Sequence, residues 1–313
     1  NQGCSIKYKI CMDNIDGEYI IKYKDAINRG KEIYNSDKTR YNDIKIYDDK
    51  MYIMLFTSGT TDEPKAVMLS QKNVCENITA YPYNFKIYQT DTLLSFLPIH
   101  HTFECSITFI YGTYCGATVA FCEGLRYIAD NLKEFKVTVF VAVPLVLVTM
   151  AKKIQKAIND SGKKNLIKRM TTFSHFLLKL KIDMRKQIFK PVLKQFDEYL
   201  RVVLYGAAPM DKETIEWYND LGIELIQGYG LTESSPVLTA ESSDKKRAGS
   251  IGIPLNNVEI KIENADKQGV GEIIAKGPNI MLGYYKNEEE TNKALRDGWL
   301  YTGDYGYIDE DGF

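Results

Sequence analysis

Six short, nearly continuous apolar runs constrain the fold of this chain more than any other feature. They lie at residues 51–56, 92–97, 117–121, 137–143, 201–204 and 223–226. Runs of this length, apolar at successive positions, suit strands buried on both faces, and such strands must be covered on both sides. The first run stops at Thr57-Ser58-Gly59, as a buried strand entering a loop would. Between most of the runs lie patterns of helical period, at 72–81, 103–114, 125–135, 145–159 and 212–221. Strands alternating with helices pair in parallel through right-handed crossovers. The expected fold class is therefore α/β, a doubly wound, mostly parallel sheet with helices on both faces.

Near Ala240 the rhythm changes. Strands are expected at 258–262 and 272–275, joined by the turn-forming stretch 264–271, then a short helix at 288–296 and strands at 299–302 and 305–308. This reads as a smaller antiparallel β subdomain. The first fifty residues are polar and weakly patterned, with a short helix expected at 25–34. The expected organisation is a partial N-terminal segment at 1–50, an α/β nucleotide- and acyl-binding part at 51–240, and the β subdomain at 241–313.

Composition narrows the function classes. Of 313 residues, 44% are hydrophobic and 26% charged, which excludes disordered and fibrous chains. Forty basic residues against forty-one acidic ones leave a net charge of −1, so no global field points to nucleic acid. The six cysteines include no Cys-x-x-Cys pair, which argues against a disulfide framework or a zinc site and for a reducing, cytoplasmic setting. No apolar run approaches the roughly eighteen residues that span a bilayer. The chain opens on Asn1-Gln2-Gly3-Cys4 and ends on Asp311-Gly312-Phe313, and it reads as a piece of something longer.

One stretch stands apart. Residues 163–194 carry ten basic side chains and one acid, Asp183, interleaved with Phe173, Phe176, Leu177, Leu180 and Ile182. A basic amphipathic helix can lie on an anionic membrane, here the inner face. A helical hairpin with solvated lysines explains the same pattern more simply.

The strongest chemical signal is Thr57-Ser58-Gly59-Thr60-Thr61-Asp62-Glu63-Pro64-Lys65. Small and hydroxyl residues after a strand offer N–H and O–H donors to a polyphosphate, and a lysine neutralises its charge. A Walker A loop is excluded at two positions, because Pro64 stands where its second glycine belongs and Ala66 where its hydroxyl belongs. A second loop, Gln227-Gly228-Tyr229-Gly230-Leu231-Thr232-Glu233-Ser234-Ser235-Pro236, follows another expected strand. Its glycines allow a planar ligand to approach the backbone.

With Tyr301-Thr302-Gly303-Asp304 and Leu97-Pro98-Ile99-His100-His101, these motifs resemble the adenylate-forming superfamily in order and content. The resemblance runs from about Ala26 to Phe313. It is strongest to bacterial long-chain fatty-acid–CoA ligases, through His100-His101-Thr102-Phe103-Glu104, the basic insert before Arg201, and Gly230-Leu231-Thr232-Glu233-Ser234-Ser235-Pro236-Val237. The resemblance implies that Thr57, Ser58, Gly59, Thr60 and Thr61 with Lys65 wrap the outer phosphates of ATP. It implies that Gly206, Ala207, Ala208 and Pro209 face Gln227, Gly228, Tyr229 and Gly230 across the adenine, with Tyr229 stacking on it. Thr232 would touch the α-phosphate and the acyl carboxylate, Glu233 would hold Mg2+, Asp304 would bind the ribose, and His101 would border the acyl pocket. Phe103, Ile107 and Ile110 would form walls of that pocket, or plain core. Thr232, Glu233, Lys65 and His101 would then be the catalytic set.

The implied activity joins a fatty acid to coenzyme A at the expense of ATP, releasing AMP and pyrophosphate. Transfer to an acyl carrier protein, another adenylate-forming reaction, or simple nucleotide binding remain open alternatives. Asp62, followed by Glu63, departs from the family pattern, since two carboxylates beside a triphosphate are unfavourable unless they point outward or reach Mg2+. The resemblance implies that the family's hinge arginine and its C-terminal lid, with its lysine, lie beyond Phe313, so the isolated chain is expected to bind adenine nucleotides weakly and to form no acyl-CoA.

Overall fold

The computed structural model describes residues 8–57, 64–194 and 198–313. The chain divides into two compact units, Asn1–Tyr47 and Asp48–Phe313. In the first, strands Lys9–Cys11 and Ile20–Lys22 pair in parallel and lead into the helix Tyr23–Ser36, which encloses the expected one but buries none of its residues.

The second unit is built on a seven-stranded sheet. Its strands lie in the order Ile253–Pro254, Val237–Ala240, Glu224–Gly230, Val202–Tyr205, Val139–Ala142, Thr92–Ser95, Thr118–Phe121. From Glu224–Gly230 to Thr118–Phe121 every pairing is parallel; the other two are antiparallel. Alternation along each strand sorts side chains between two cores. Leu93, Val139, Val141, Val202 and Leu204 face the helix Gln71–Ala80 and the wide, π-type helix Glu104–Tyr111. Leu94, Phe140, Ala142, Val203 and Tyr205 face the helices Ile128–Glu134, Pro144–Asp160 and Lys212–Asp220. Both faces are covered, as the unbroken apolar runs require.

Two expectations are corrected. The run at 51–56 is neither fully buried nor part of the parallel sheet. Strand Met51–Thr57 turns straight back into Lys65–Ser70, and with Gly283–Tyr284 these form a three-stranded antiparallel sheet with Met51–Thr57 at its edge. A parallel partner would have needed a long crossover, which a loop of this length cannot supply. Phe56 is accordingly 72% exposed. The two strands expected at 299–302 and 305–308 are one, Trp299–Gly306, in the four-stranded sheet with Glu259–Glu263, Gly271–Lys276 and Leu295–Arg296. Its register against Gly271–Lys276 shifts between Glu272 and Ile274, which pair with Tyr305 and Tyr301. The extra residues, Thr302-Gly303-Asp304, form a bulge in which Gly303 takes φ 77°.

The basic stretch forms the helices Lys164–Lys179, Arg185–Ile188 and Lys190–Leu193. Ile167 and Met170 pack on the core, while Leu166, Phe173, Phe176 and Leu180 are each more than half exposed. Among the described residues no helix is long and apolar enough to cross a membrane, and the described cysteines are free thiols.

Candidate active site

The hairpin sets Thr57 opposite Lys65 across its ladder, on either side of the expected phosphate-binding stretch. Ser58, Gly59, Thr60 and Thr61, and the acids Asp62 and Glu63, lie outside the described residues. The Lys65 ammonium is ion-paired with Glu290 and lies 5.3 Å from the centre of the Tyr284 ring.

The second group of residues leaves the carboxyl ends of the parallel strands, where open α/β sheets bind ligands. Gly206, just beyond Val202–Tyr205, lies so close to the neighbouring strand that a Cβ on it would stand 2.8 Å from Gly228 O. Any larger residue would push the two strand exits apart. Ala207, Ala208 and Pro209 follow on the surface, Ala207 with φ 68°. A cavity of about 220 Å³ opens here, with His101, Phe103, Gly206, Gly228, Tyr229 and Thr232 among its walls. Tyr229 also lines a neighbouring cavity of about 430 Å³ that contains Asp304 and Arg247.

The Tyr229 hydroxyl donates to Asp304 Oδ2 at 2.7 Å, joining the sheet's loop to the bulge. The bulge is braced by Thr302 Oγ1 donating to Ile273 O at 2.7 Å and by Asp304 N–H donating back to Thr302 Oγ1 at 3.1 Å. Burial, and then the carboxylate of Asp304, raise the Tyr229 pKa, so the phenol stays a donor.

Thr232 and Glu233 occupy a single helical turn, Thr232–Ser234, that follows Gly230. Gly230 admits no side chain, because a Cβ there would lie 1.9 Å from Pro236 O. The turn is fixed from outside. Met281 N–H donates to Glu233 O at 2.8 Å, and Asn279 Nδ2 donates to Ser234 O at 2.9 Å. The Tyr284 hydroxyl donates to Glu233 Oε1 at 2.8 Å. Tyr284 therefore lies between the lysine and the acid of the expected site.

His101 sits at the cavity rim, its Nδ1 accepting from Phe103 N–H at 3.3 Å. Desolvation of the ring and the adjacent His100 lower its pKa, which favours the neutral imidazole at pH 7. Glu104, one turn on, is wholly buried, with Thr108 Oγ1 donating to its Oε2 at 3.0 Å, and burial raises its carboxyl pKa.

Not every expected residue joins the group. Gln227 is buried beneath it, its Oε1 accepting from the Tyr205 hydroxyl at 2.9 Å, and it lines neither cavity. Ile107 is core, and Ile110 packs against that core; of the three proposed acyl walls, Phe103 reaches the cavity. His175 lies apart from the group and pairs with Asp220 at 2.6 Å on the surface. Sequence reasoning missed Tyr284 and Glu290. The only local hint was a helix start at Asn287, whose side chain caps Glu290 N–H at 3.1 Å; nothing near it in sequence names Lys65 or Glu233 as partner.

The Glu233 carboxylate suits Mg2+. Such an ion is commonly held by one or two carboxylates, water and substrate phosphates, and a carboxylate oriented by the Tyr284 hydroxyl fits that role. No cluster of three or more metal-binding side chains exists among the described residues.

A family profile described as AMP-binding enzyme matches residues 9–285. Long-chain-fatty-acid–CoA ligase 6 of Mus musculus is 33% identical over 277 residues, which cover 82% of this chain and 40% of that protein. A chloroplastic long-chain-fatty-acid–acyl-carrier-protein ligase of Arabidopsis thaliana is 29% identical over 340 residues, covering 92% of this chain and 46% of that protein. Among solved structures, O-succinylbenzoate coenzyme A synthetase of Bacillus subtilis in complex with ATP and magnesium ion superposes with a TM-score of 0.67 at 26% identity, covering 87% of this chain and 51% of that one. The chain spans about half the length of the relatives it matches.

Proposed function

Because the chain belongs to the AMP-binding enzyme family, we propose that it carries the nucleotide- and acid-binding site of a ligase that uses ATP to activate a long-chain fatty acid. The observation that carries this reading is one continuous line of contacts. It runs from Lys65 past Tyr284 to Glu233, through Thr232 and the cavity to Tyr229, and ends at Asp304. Its order suits an extended ligand with phosphates at one end and a ribose at the other.

In this reading the fatty carboxylate attacks the α-phosphorus of ATP in line, and pyrophosphate leaves. The product is an acyl-adenylate, from which the thiol of coenzyme A displaces AMP. The protein's share is alignment and charge stabilisation. Asp304 accepts from the ribose hydroxyls, Tyr229 stacks on the adenine between the 206–209 and 228–230 loops, and Thr232 donates to the α-phosphate. Lys65, with Thr57 and the loop after it, takes the outer phosphates. When bound, Mg2+ supplies charge neutralisation at the phosphates, held by Glu233 in the orientation that Tyr284 fixes. Neutral His101 hydrogen-bonds at the rim beside the acyl carboxylate.

The test is acid-dependent exchange of pyrophosphate into ATP, run on the native polypeptide that carries this sequence. Exchange rising from acetate to a long-chain acid supports the reading. A preference for acetate or amino acids removes the long-chain substrate and leaves the family. Product analysis with coenzyme A and with an acyl carrier protein identifies the acceptor.

A second partner is suggested by the stripe of Leu166, Phe173, Phe176 and Leu180, exposed beside Lys168, Arg169, Lys179 and Lys181. Apolar side chains flanked by cations match an anionic lipid surface, where each basic residue contributes about 1 kcal/mol. Flotation with phosphatidylglycerol vesicles but not phosphatidylcholine ones, lost in Phe173→Ser/Phe176→Ser, is the expected result. Equal flotation with both lipids, or none, removes this contact.

A further inference from the structure

The lysine assigned to the outer phosphates already has an anionic partner. Glu290, 225 residues further along the chain, ion-pairs with Lys65. The fold builds this contact deliberately close to the phosphate strand. Gly283–Tyr284 runs antiparallel to Lys65–Ser70 with Tyr284 opposite Val67, and Tyr285 N–H donates to Ala66 O at 2.8 Å. Asn287 then starts the helix Glu288–Ala294, and Tyr284 N–H donates to Thr291 Oγ1 at 2.9 Å, folding the helix back on the strand. Its first turn is thereby fixed beside the first residue of the phosphate strand.

Glu290 is held from its other side by Lys293 at 2.8 Å, which also pairs with Glu289 at 2.7 Å. The Lys65 and Glu290 side chains are 20% and 26% exposed, so the pair is partly shielded from water. Hydrogen bonds from Lys293 and then Lys65 pull the Glu290 carboxyl down to about 2, so it is fully charged at any working pH.

We propose that Glu290 is a positioning residue of the phosphate site, a resident counter-ion that holds the Lys65 ammonium in place and yields it to a polyphosphate. The inference rests on the nucleotide reading above and deepens it. A flexible lysine would lose side-chain entropy when it closes on a ligand, and the ion pair reduces that loss by ordering it beforehand. The same pair imposes a competition. A triphosphate or pyrophosphate brings several negative charges to Lys65 and displaces one carboxylate. AMP, whose single phosphate lies at Thr232, does not reach the lysine. Glu290 therefore lowers the affinity of the site for any anion that must take Lys65 from it, and leaves monophosphate binding alone.

Calorimetric titrations of Mg-ATP, magnesium pyrophosphate and AMP into this chain and its Glu290→Gln variant test the proposal, with thermal unfolding to confirm that each variant is folded. Mg-ATP and pyrophosphate are expected to bind about two- to fivefold more tightly to the variant, the scale of a partly exposed ion pair, with AMP unchanged. Lys293→Ala, which leaves Glu290 uncompensated beside the phosphates, is expected to shift Mg-ATP the opposite way. Both differences should shrink in ~1 M salt, where charges are screened beyond about 3 Å. Opposite shifts from two neighbouring substitutions are not what a merely structural role gives. Unchanged Mg-ATP affinity in Glu290→Gln, while Lys65→Ala still weakens it, overturns the inference and leaves the nucleotide reading standing. Equal tightening of AMP and Mg-ATP overturns it as well. If Lys65→Ala also leaves Mg-ATP binding unchanged, the nucleotide reading fails and the inference fails with it.

Discussion

The Tyr229 hydroxyl and the Asp304 carboxylate, 75 residues apart, meet at 2.7 Å and join a strand of the seven-stranded sheet to the bulge of the antiparallel one. The two residues belong to different motifs and different sheets. In the proposed reading their meeting sets one side chain to stack on a base and the other to reach the attached ribose.

Asp304→Ala is therefore expected to weaken Mg-ATP and AMP equally, by roughly tenfold or more, the scale of hydrogen bonds to a charged group. Tyr229→Phe removes only the donor to Asp304 and should cost less. Fluorescence or calorimetric titration of both nucleotides measures this. A loss confined to Mg-ATP would place Asp304 at the phosphates instead.

Far from the site, Asp91 is 4% exposed and is held by Arg201, whose Nε donates to Oδ1 at 2.9 Å, and by Thr138 Oγ1 at 2.7 Å. Burial pushes its pKa up, but the hydrogen bonds from Arg201, Tyr88 N–H and Thr138 together lower it. Arg201→Ala leaves a buried carboxylate without its cation and should cost about 3–5 kcal/mol in urea unfolding at pH 7. Since the Asp91 pKa is depressed in the folded state, its contribution is present above the ordinary aspartate value and is lost as pH falls through the folded one. The Arg201→Ala penalty should therefore shrink in acid, and Asp91→Asn added to Arg201→Ala should recover part of the stability.

Glu104 has the opposite sign. Burial raises its pKa, so folding favours the protonated acid; that contribution is complete below the ordinary glutamate value and is lost as pH rises through the folded one. Glu104→Gln, neutral throughout, should raise Tm more at pH 8 than at pH 4, by about 2–4 °C if it recovers a kcal/mol. A gain independent of pH would mean that folding does not raise the pKa of this carboxyl.

Much of this architecture was legible in the sequence because strands buried on both faces leave a short continuous apolar run. Val139–Ala142 lies within its expected interval and Val202–Tyr205 overlaps its own, each with four consecutive buried residues. The run at 51–56 looked the same yet belongs to an antiparallel edge, because partner choice is set by the return strand at Lys65 rather than by the run itself. The motif singles out Asp304, but its presentation on a bulge depends on the register of a strand some thirty positions earlier, from Gly271 to Lys276. Tyr284 and Glu290 were missed for a related reason. Their roles exist only once Gly283–Tyr284 pairs with Lys65–Ser70, and local sequence carries no trace of that pairing.

The most direct test of the account is a paired titration of Mg-ATP and AMP into the chain and its Lys65→Ala variant. If the line of contacts from Lys65 to Asp304 holds an adenine nucleotide with its outer phosphates at the lysine, Mg-ATP binding weakens about tenfold, the scale of one lost charge-assisted contact, while AMP binding is unchanged. Equal losses for both nucleotides, or no loss for either, would contradict it.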